Sequence, residues 1–167
     1  MTNNTLTRAR NFVLIALVQA LIFSQIHLFG YATACVYLIF ILKLPRHTSR
    51  NELLVWSFLF GLTIDIFCNT PGINAAAATA MGFLRNTILT IFTHKGMPDD
   101  FIPGARSLKW GGYIVYSLAC TGIFYTILFM LELFTISHAS ALFLSVISST
   151  LLTMLFVAVI ECFSRTK

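Results

Sequence analysis

The chain is poor in charge. Asp, Glu, Lys and Arg make up 10% of its 167 residues, against 57% hydrophobic residues. A soluble domain carries about 25% charged residues, so a chain with a mean hydropathy of +0.85 cannot cover itself with polar surface. Its six acids against eleven Lys and Arg give a net charge of +5. With so few charges, that excess reads segment by segment as membrane topology and not as a nucleic-acid signal. Cysteine is also sparse: Cys35, Cys68, Cys120 and Cys162 form no CxxC pair and have no His at ligand spacing. They read as small buried hydrophobes, which leaves no metal site and no redox pair. HExxH, GxSxG and Walker patterns are missing, and no second acid inside an apolar run partners Asp65. Catalysis is therefore not expected, and neither is a cofactor.

What the chain has is long apolar runs. A membrane span needs about 20 such residues, fewer if the bilayer adapts. Six candidates occur: 12–29, 31–44, 53–68, 73–92, 110–134 and 139–163. Together they make 1–167 a single polytopic, all-α membrane domain. The N-terminus imitates a signal peptide but lacks an A-x-A-like cleavage site, so 12–29 reads as an uncleaved span. Residues 12–44 as one helix would run about 50 Å, so a break is expected near Gly30. The 31–44 segment is the shortest, and it is either a span or re-entrant.

Charge placement favours six crossings. Arg8 and Arg10, then Lys43, Arg46 and Arg50, then Lys95, Arg106 and Lys109, and finally Arg165 and Lys167 all fall in alternate loops or tails. The intervening loops hold no Lys or Arg. The positive-inside rule then puts both termini in the cytoplasm. A non-crossing 31–44 would place Lys43, Arg46 and Arg50 outside. Trp56 and Trp110 fall near the inner ends of their spans, where aromatic anchors belong.

The most informative stretch is Ser57 to Arg85. Ser57, Gly61, Asp65 and Asn69 recur every four residues and share one face of a helix. Thr70-Pro71-Gly72-Ile73 reads as a type II turn, with Pro71 presetting φ and Gly72 supplying a positive φ. Asn74 suits the N-cap of the next helix. Ala75, Ala76, Ala77, Ala78, Thr79, Ala80 and Gly82 then keep that helix slim. Small residues at four-residue spacing let backbones approach, which is how helices adhere in hydrocarbon.

An acid inside a span costs roughly 2.5–3.5 kcal/mol at the bilayer centre, less near its edge, where this register puts Asp65. One acid alone makes a poor proton relay. Asp65 is expected to cap or bind across the hairpin near Asn69 and Asn74, or to help dock a partner. Arg85 lies about 12 residues into its span and is expected to snorkel to the cytoplasmic face, away from Asp65. Glu132 and Glu161 at span ends read as solvated, and His27 and His138 as interfacial groups. The helix-packing or partner-binding set is Gly61, Asp65, Asn69, Pro71, Gly72, Asn74, Ala75, Ala78 and Arg85.

GLTIDIFCNTPGINAAAATAMGFLR (61–85), preceded by QALIFSQIHLFGY (19–31) and a short apolar segment ending in Leu44-Pro45, resembles the signature region of the rod shape-determining protein MreD family, in its Bacteroidetes-like form. Cys68, Asn74 and Asn86 depart from the residues usual there, but the acid and the turn remain. The resemblance implies a non-enzymatic membrane scaffold of the cell-wall elongation complex in the bacterial cytoplasmic membrane. It implies an MreC-like bitopic partner and, indirectly, an MreB-like filament, a RodA-like glycosyltransferase and a class B penicillin-binding protein. The implied fold is similar to the six-helix substrate-binding components of energy-coupling-factor transporters. An alternative class is a small-solute, vitamin-like binding subunit of a transporter, with Asp65, Asn69, Asn74 and His27 as the polar groups of an outward pocket.

Overall fold

The computed structural model describes residues 10, 12–17, 19, 27–28, 32–33, 35–93, 101–132 and 139–165. The described chain is all-helical apart from a minimal antiparallel pairing of β1 (His27–Leu28) with β2 (Ala32–Thr33). Four long helices form the bundle: α2 (Arg50–Cys68), α3 (Ile73–Phe92), α4 (Lys109–Glu132) and α5 (Ala139–Arg165). A five-residue helix, α1 (Leu38–Leu42), precedes them.

Each long helix is apolar and long enough to cross a membrane. In their most apolar windows only 33–39% of the residues are buried, so about two-thirds of each helix surface faces outward. That outward surface includes Val55, Phe58, Ile66, Phe67, Ile91, Val115, Leu151 and Leu155. A water-soluble monomer rarely exposes so large an apolar belt; in lipid it carries no penalty. The molecule has the build of a multi-pass membrane protein.

Four of the six expected spans correspond to these helices. The 73–92 expectation matches α3, and the other three shift at their ends. Helix α2 begins three residues earlier than expected because the Ser49 side chain caps it. The Ser49 side chain accepts from the Glu52 N–H at 3.2 Å, the recognised S-x-x-E start signal.

The other two segments differ. Residues 12–17 are helical, but His27–Leu28 at the far end of the expected 12–29 span is extended backbone; most of the remainder lies outside the described residues. The 31–44 segment is not a continuous helix. Ala32–Thr33 is extended, and only Leu38–Leu42 is helical, with all five residues buried. Cys35 sits level with Thr153 on α5, and Lys43 level with Glu161. Eight helical residues separate those two, so the chain descends about 12 Å between Cys35 and Lys43. An aromatic sleeve holds it. Tyr37 stacks on Phe60 at 5.7 Å and meets Phe124 edge-on at 6.0 Å, while Phe40 packs on Phe60 at 4.9 Å and on Trp56 at 5.9 Å.

The antiparallel α2–α3 hairpin is the tightest contact. A Cβ added at Gly61 would lie 2.6 Å from the Ala75 amide nitrogen, and one at Gly82 would lie 3.0 Å from Ser57 Cβ. The two backbones touch at Gly61, and seven residues beyond Ala75 along α3 Gly82 leaves room for the Ser57 side chain. Gly61→Ala is expected to force them apart, with an overpacking cost of about 1–3 kcal/mol. Thermal unfolding of the detergent-solubilised protein would show a clear drop in midpoint, and an unchanged midpoint would refute the contact.

Candidate functional site

Helix α2 ends at Asn69, which adopts the left-handed conformation (φ 54°, ψ 38°) tolerated by Asn at a C-cap. Gly72 follows at φ 79°, ψ 10°, as the second central residue of a type II turn requires. The structure makes Gly72, not Asn74, the N-cap of α3. A glycine cap brings no side chain, so the first amides of α3 must find another acceptor.

Asp65 is that acceptor. Its Oδ1 accepts from the Asn74 N–H at 3.0 Å, and its Oδ2 from the Ala75 N–H at 2.8 Å. These are the second and third residues of α3, the two amides that an N-cap side chain serves in an ordinary helix. The Thr70 hydroxyl and the Asn74 side-chain amide, the latter at 3.1 Å, also donate to Oδ1. The carboxylate is buried at 3% exposure, at the positive end of the α3 dipole. The expected capping role across the hairpin is therefore the one observed. Both oxygens are occupied.

Of the other expected site residues, Gly61, Asn74, Ala75 and Ala78 are buried in the hairpin and its core, while Asn69 and Pro71 are exposed at its tip. Arg85 overturns its expectation. It does not snorkel; it is fully buried. Its Nη2 donates to the carbonyls of Leu42, at 3.1 Å, and Leu44; its Nε donates to the Tyr116 hydroxyl at 3.1 Å; and its Nη1 donates to Asn86 Oδ1 at 2.9 Å. Arg85 thus caps the C-terminal end of α1, where unpaired carbonyls favour a cation. It lies some 11 residues, about 16 Å, along α3 from the Asp65 contact, so the two charges do not pair.

Sequence reasoning missed three further participants. The Cys35 amide donates to the Tyr125 hydroxyl at 3.0 Å and the Val36 amide to Gln19 Oε1 at 2.8 Å, which satisfies the approach to α1. Glu161, expected to be solvated, is buried at 6% exposure. It accepts from the Ala105 amide at 2.9 Å and pairs with Lys43 Nζ at 2.7 Å. The cysteines divide: Cys35 and Cys120 are buried as expected, whereas Cys68 and Cys162 are exposed. Among the described residues no group of His, Cys, Asp and Glu could hold a metal.

Outside the hairpin, α2 and α3 frame an apolar groove of about 820 Å³. Ala76, Thr79 and Ala80 form its floor, and Phe58, Leu62 and Phe83 its walls. Ala78 does not reach it, being fully buried on the opposite side of α3.

Two substitutions test the capping geometry. Asp65→Asn keeps one acceptor oxygen and turns an NH2 towards a backbone donor, so one buried amide loses its partner. The expected cost is about 1–3 kcal/mol. Arg85→Lys replaces a planar fork by a point charge that cannot hold both carbonyls and Tyr116, at a similar cost. Chemical denaturation in mixed micelles measures both, and wild-type stability in either variant contradicts the geometry.

No family model, no curated protein and no solved structure matches the chain.

Proposed function

We propose that the protein is a non-enzymatic, MreD-like membrane scaffold that acts in the cell-wall elongation complex by presenting helix faces to an MreC-like bitopic partner. Six crossings, cytoplasmic termini and residence in the bacterial cytoplasmic membrane belong to this reading. So does an indirect link to an MreB-like filament, a RodA-like glycosyltransferase and a class B penicillin-binding protein. The observation that carries it is the groove over Ala76, Thr79 and Ala80. Small residues flanked by Phe58 and Phe83 make the surface on which another membrane helix approaches closely. The groove lies outside a hairpin whose own acid is fully occupied. A buried carboxylate that already accepts four hydrogen bonds, two of them from backbone amides at a helix start, is engaged as a cap, which favours a structural role over catalysis. The concentration of Lys43, Arg46, Arg50, Arg106 and Lys109 at one end of the bundle supports the assignment of that end to the cytoplasm.

A second reading, the small-solute binding subunit, is favoured by one observation. The hydroxyls of Tyr37 and Thr150 are buried without a hydrogen-bond partner among the described residues. Saturable, tight uptake of a vitamin by the purified protein in equilibrium dialysis would promote it.

Filling the groove discriminates between them. Ala76→Leu with Ala80→Leu lies on the outward side of α3, so stability should stay within about 0.5 kcal/mol. Co-purification of the bitopic partner from native membranes should fall about ten-fold, a modest hot-spot loss, and rod morphology should fail. Undiminished co-elution with normal cell shape sinks the proposal. Ala78→Leu, inside the core, is expected to destabilise the protein instead.

A further inference from the structure

The outward groove between α2 and α3 ends beside a cation. Arg50 opens α2, and Leu54, Phe58 and Leu62 follow it at four-residue spacing on the same face. Those three line one side of the groove, and from Arg50 to Leu62 the row runs about 18 Å. On α3, Phe83 lines the groove at the level of Arg50. Its half-exposed ring lies under the guanidinium, with Cζ 5.0 Å from the ring centroid. The ring attracts the charge but offers no oxygen to its N–H donors. Among the described residues the exposed Arg50 side chain meets no acid and no hydrogen-bond acceptor. Helix stability does not account for the position, because the first turn of a helix disfavours a cation.

An apolar groove with one cation held at its end selects an apolar body with one anion at the matching height. We propose that the groove takes a partner's membrane helix that carries an Asp or Glu at the end nearest Arg50, and that this carboxylate pairs with the Arg50 guanidinium. The inference deepens the docking reading of the groove and rests on it. A planar guanidinium matches a carboxylate in a bidentate fork, so the pair supplies register. Grease and small residues let a helix approach, but they leave it free to slide along the row; a charge pair at one end fixes its depth. The positive-inside rule counts Lys and Arg and is little affected by acids, so a carboxylate is compatible with that end of a partner's span.

Synthetic membrane-spanning peptides, added to the purified full chain in detergent micelles and followed by fluorescence energy transfer, test this. The probes share a leucine-rich helix with Ala at every fourth position and differ in one terminal residue: Glu, Gln or Lys. The Glu peptide should bind saturably and about five-fold tighter than the Gln peptide, the upper range for one exposed ion pair, with the Lys peptide weakest. Arg50→Glu should reverse that order. Ala76→Leu with Ala80→Leu, which fills the groove, should weaken all three peptides alike. Circular dichroism melting checks that the variants fold. Equal binding of the three peptides in the groove, or an unchanged order in Arg50→Glu, would overturn this inference alone. Binding of no peptide, or binding untouched by filling the groove, would overturn the docking reading and this inference with it. Arg50-dependent retention of phosphatidylglycerol over phosphatidylcholine, with no ranking among the peptides, would also overturn the inference, by making Arg50 a lipid contact.

Discussion

A backbone amide or carbonyl that ends a helix inside an apolar bundle has no water to turn to. Every such group must be met by protein or cost several kcal/mol. This constraint explains most of the buried polar chemistry in the molecule. Asp65 meets the start of α3, Arg85 and Tyr116 meet the end of α1, Tyr125 and Gln19 meet its approach, and Glu161 meets the turn at Ala105. In each case a side chain from one element closes the backbone of another. The long-range polar contacts are largely caps.

That pattern bears on what the ionised groups can do. Asp65 and Arg85 are the two charges that attract attention in a membrane helix, where such residues default to functional hypotheses. Here each is held largely by backbone partners, and Arg85 sits about 16 Å along α3 from the Asp65 contact. Removing either would leave orphaned amides or carbonyls, so their value lies in holding a short, buried, irregular segment and a tight hairpin in place. The rigid hairpin in turn holds the outward groove of Ala76, Thr79 and Ala80 in a fixed shape, which a scaffold requires and a relay does not.

How much was legible depended on whether the signal was local. The turn at Pro71–Gly72 and the slim face of α3 are encoded within a few residues, and the four long helices follow from apolar length alone. The N-cap at Ser49, with Glu52 three residues on, is equally local. For Arg85 and Glu161 position within the span points to the membrane surface, whereas helical period points to the core. Ala75, Ala78, Gly82, Arg85 and Leu89 share one buried face of α3, and Ser149, Thr153, Val157 and Glu161 share one of α5. Period alone put both charges inside. The 31–44 segment was not legible as a short buried helix, because its apolar run is the same whether lipid or an aromatic sleeve surrounds it. Only the tertiary partners Phe60, Trp56 and Phe124 distinguish the two.

The central claim is that Asp65 closes the N-terminal end of α3. Amide hydrogen exchange, resolved by residue in the detergent-solubilised protein, tests it most directly, since first-turn amides of an uncapped helix open far more readily than interior ones. The account predicts that the Asn74 and Ala75 amides exchange as slowly as those of Ala77 and Ala78 one turn further in. Exchange at Asn74 and Ala75 as fast as at an exposed helix start would contradict it.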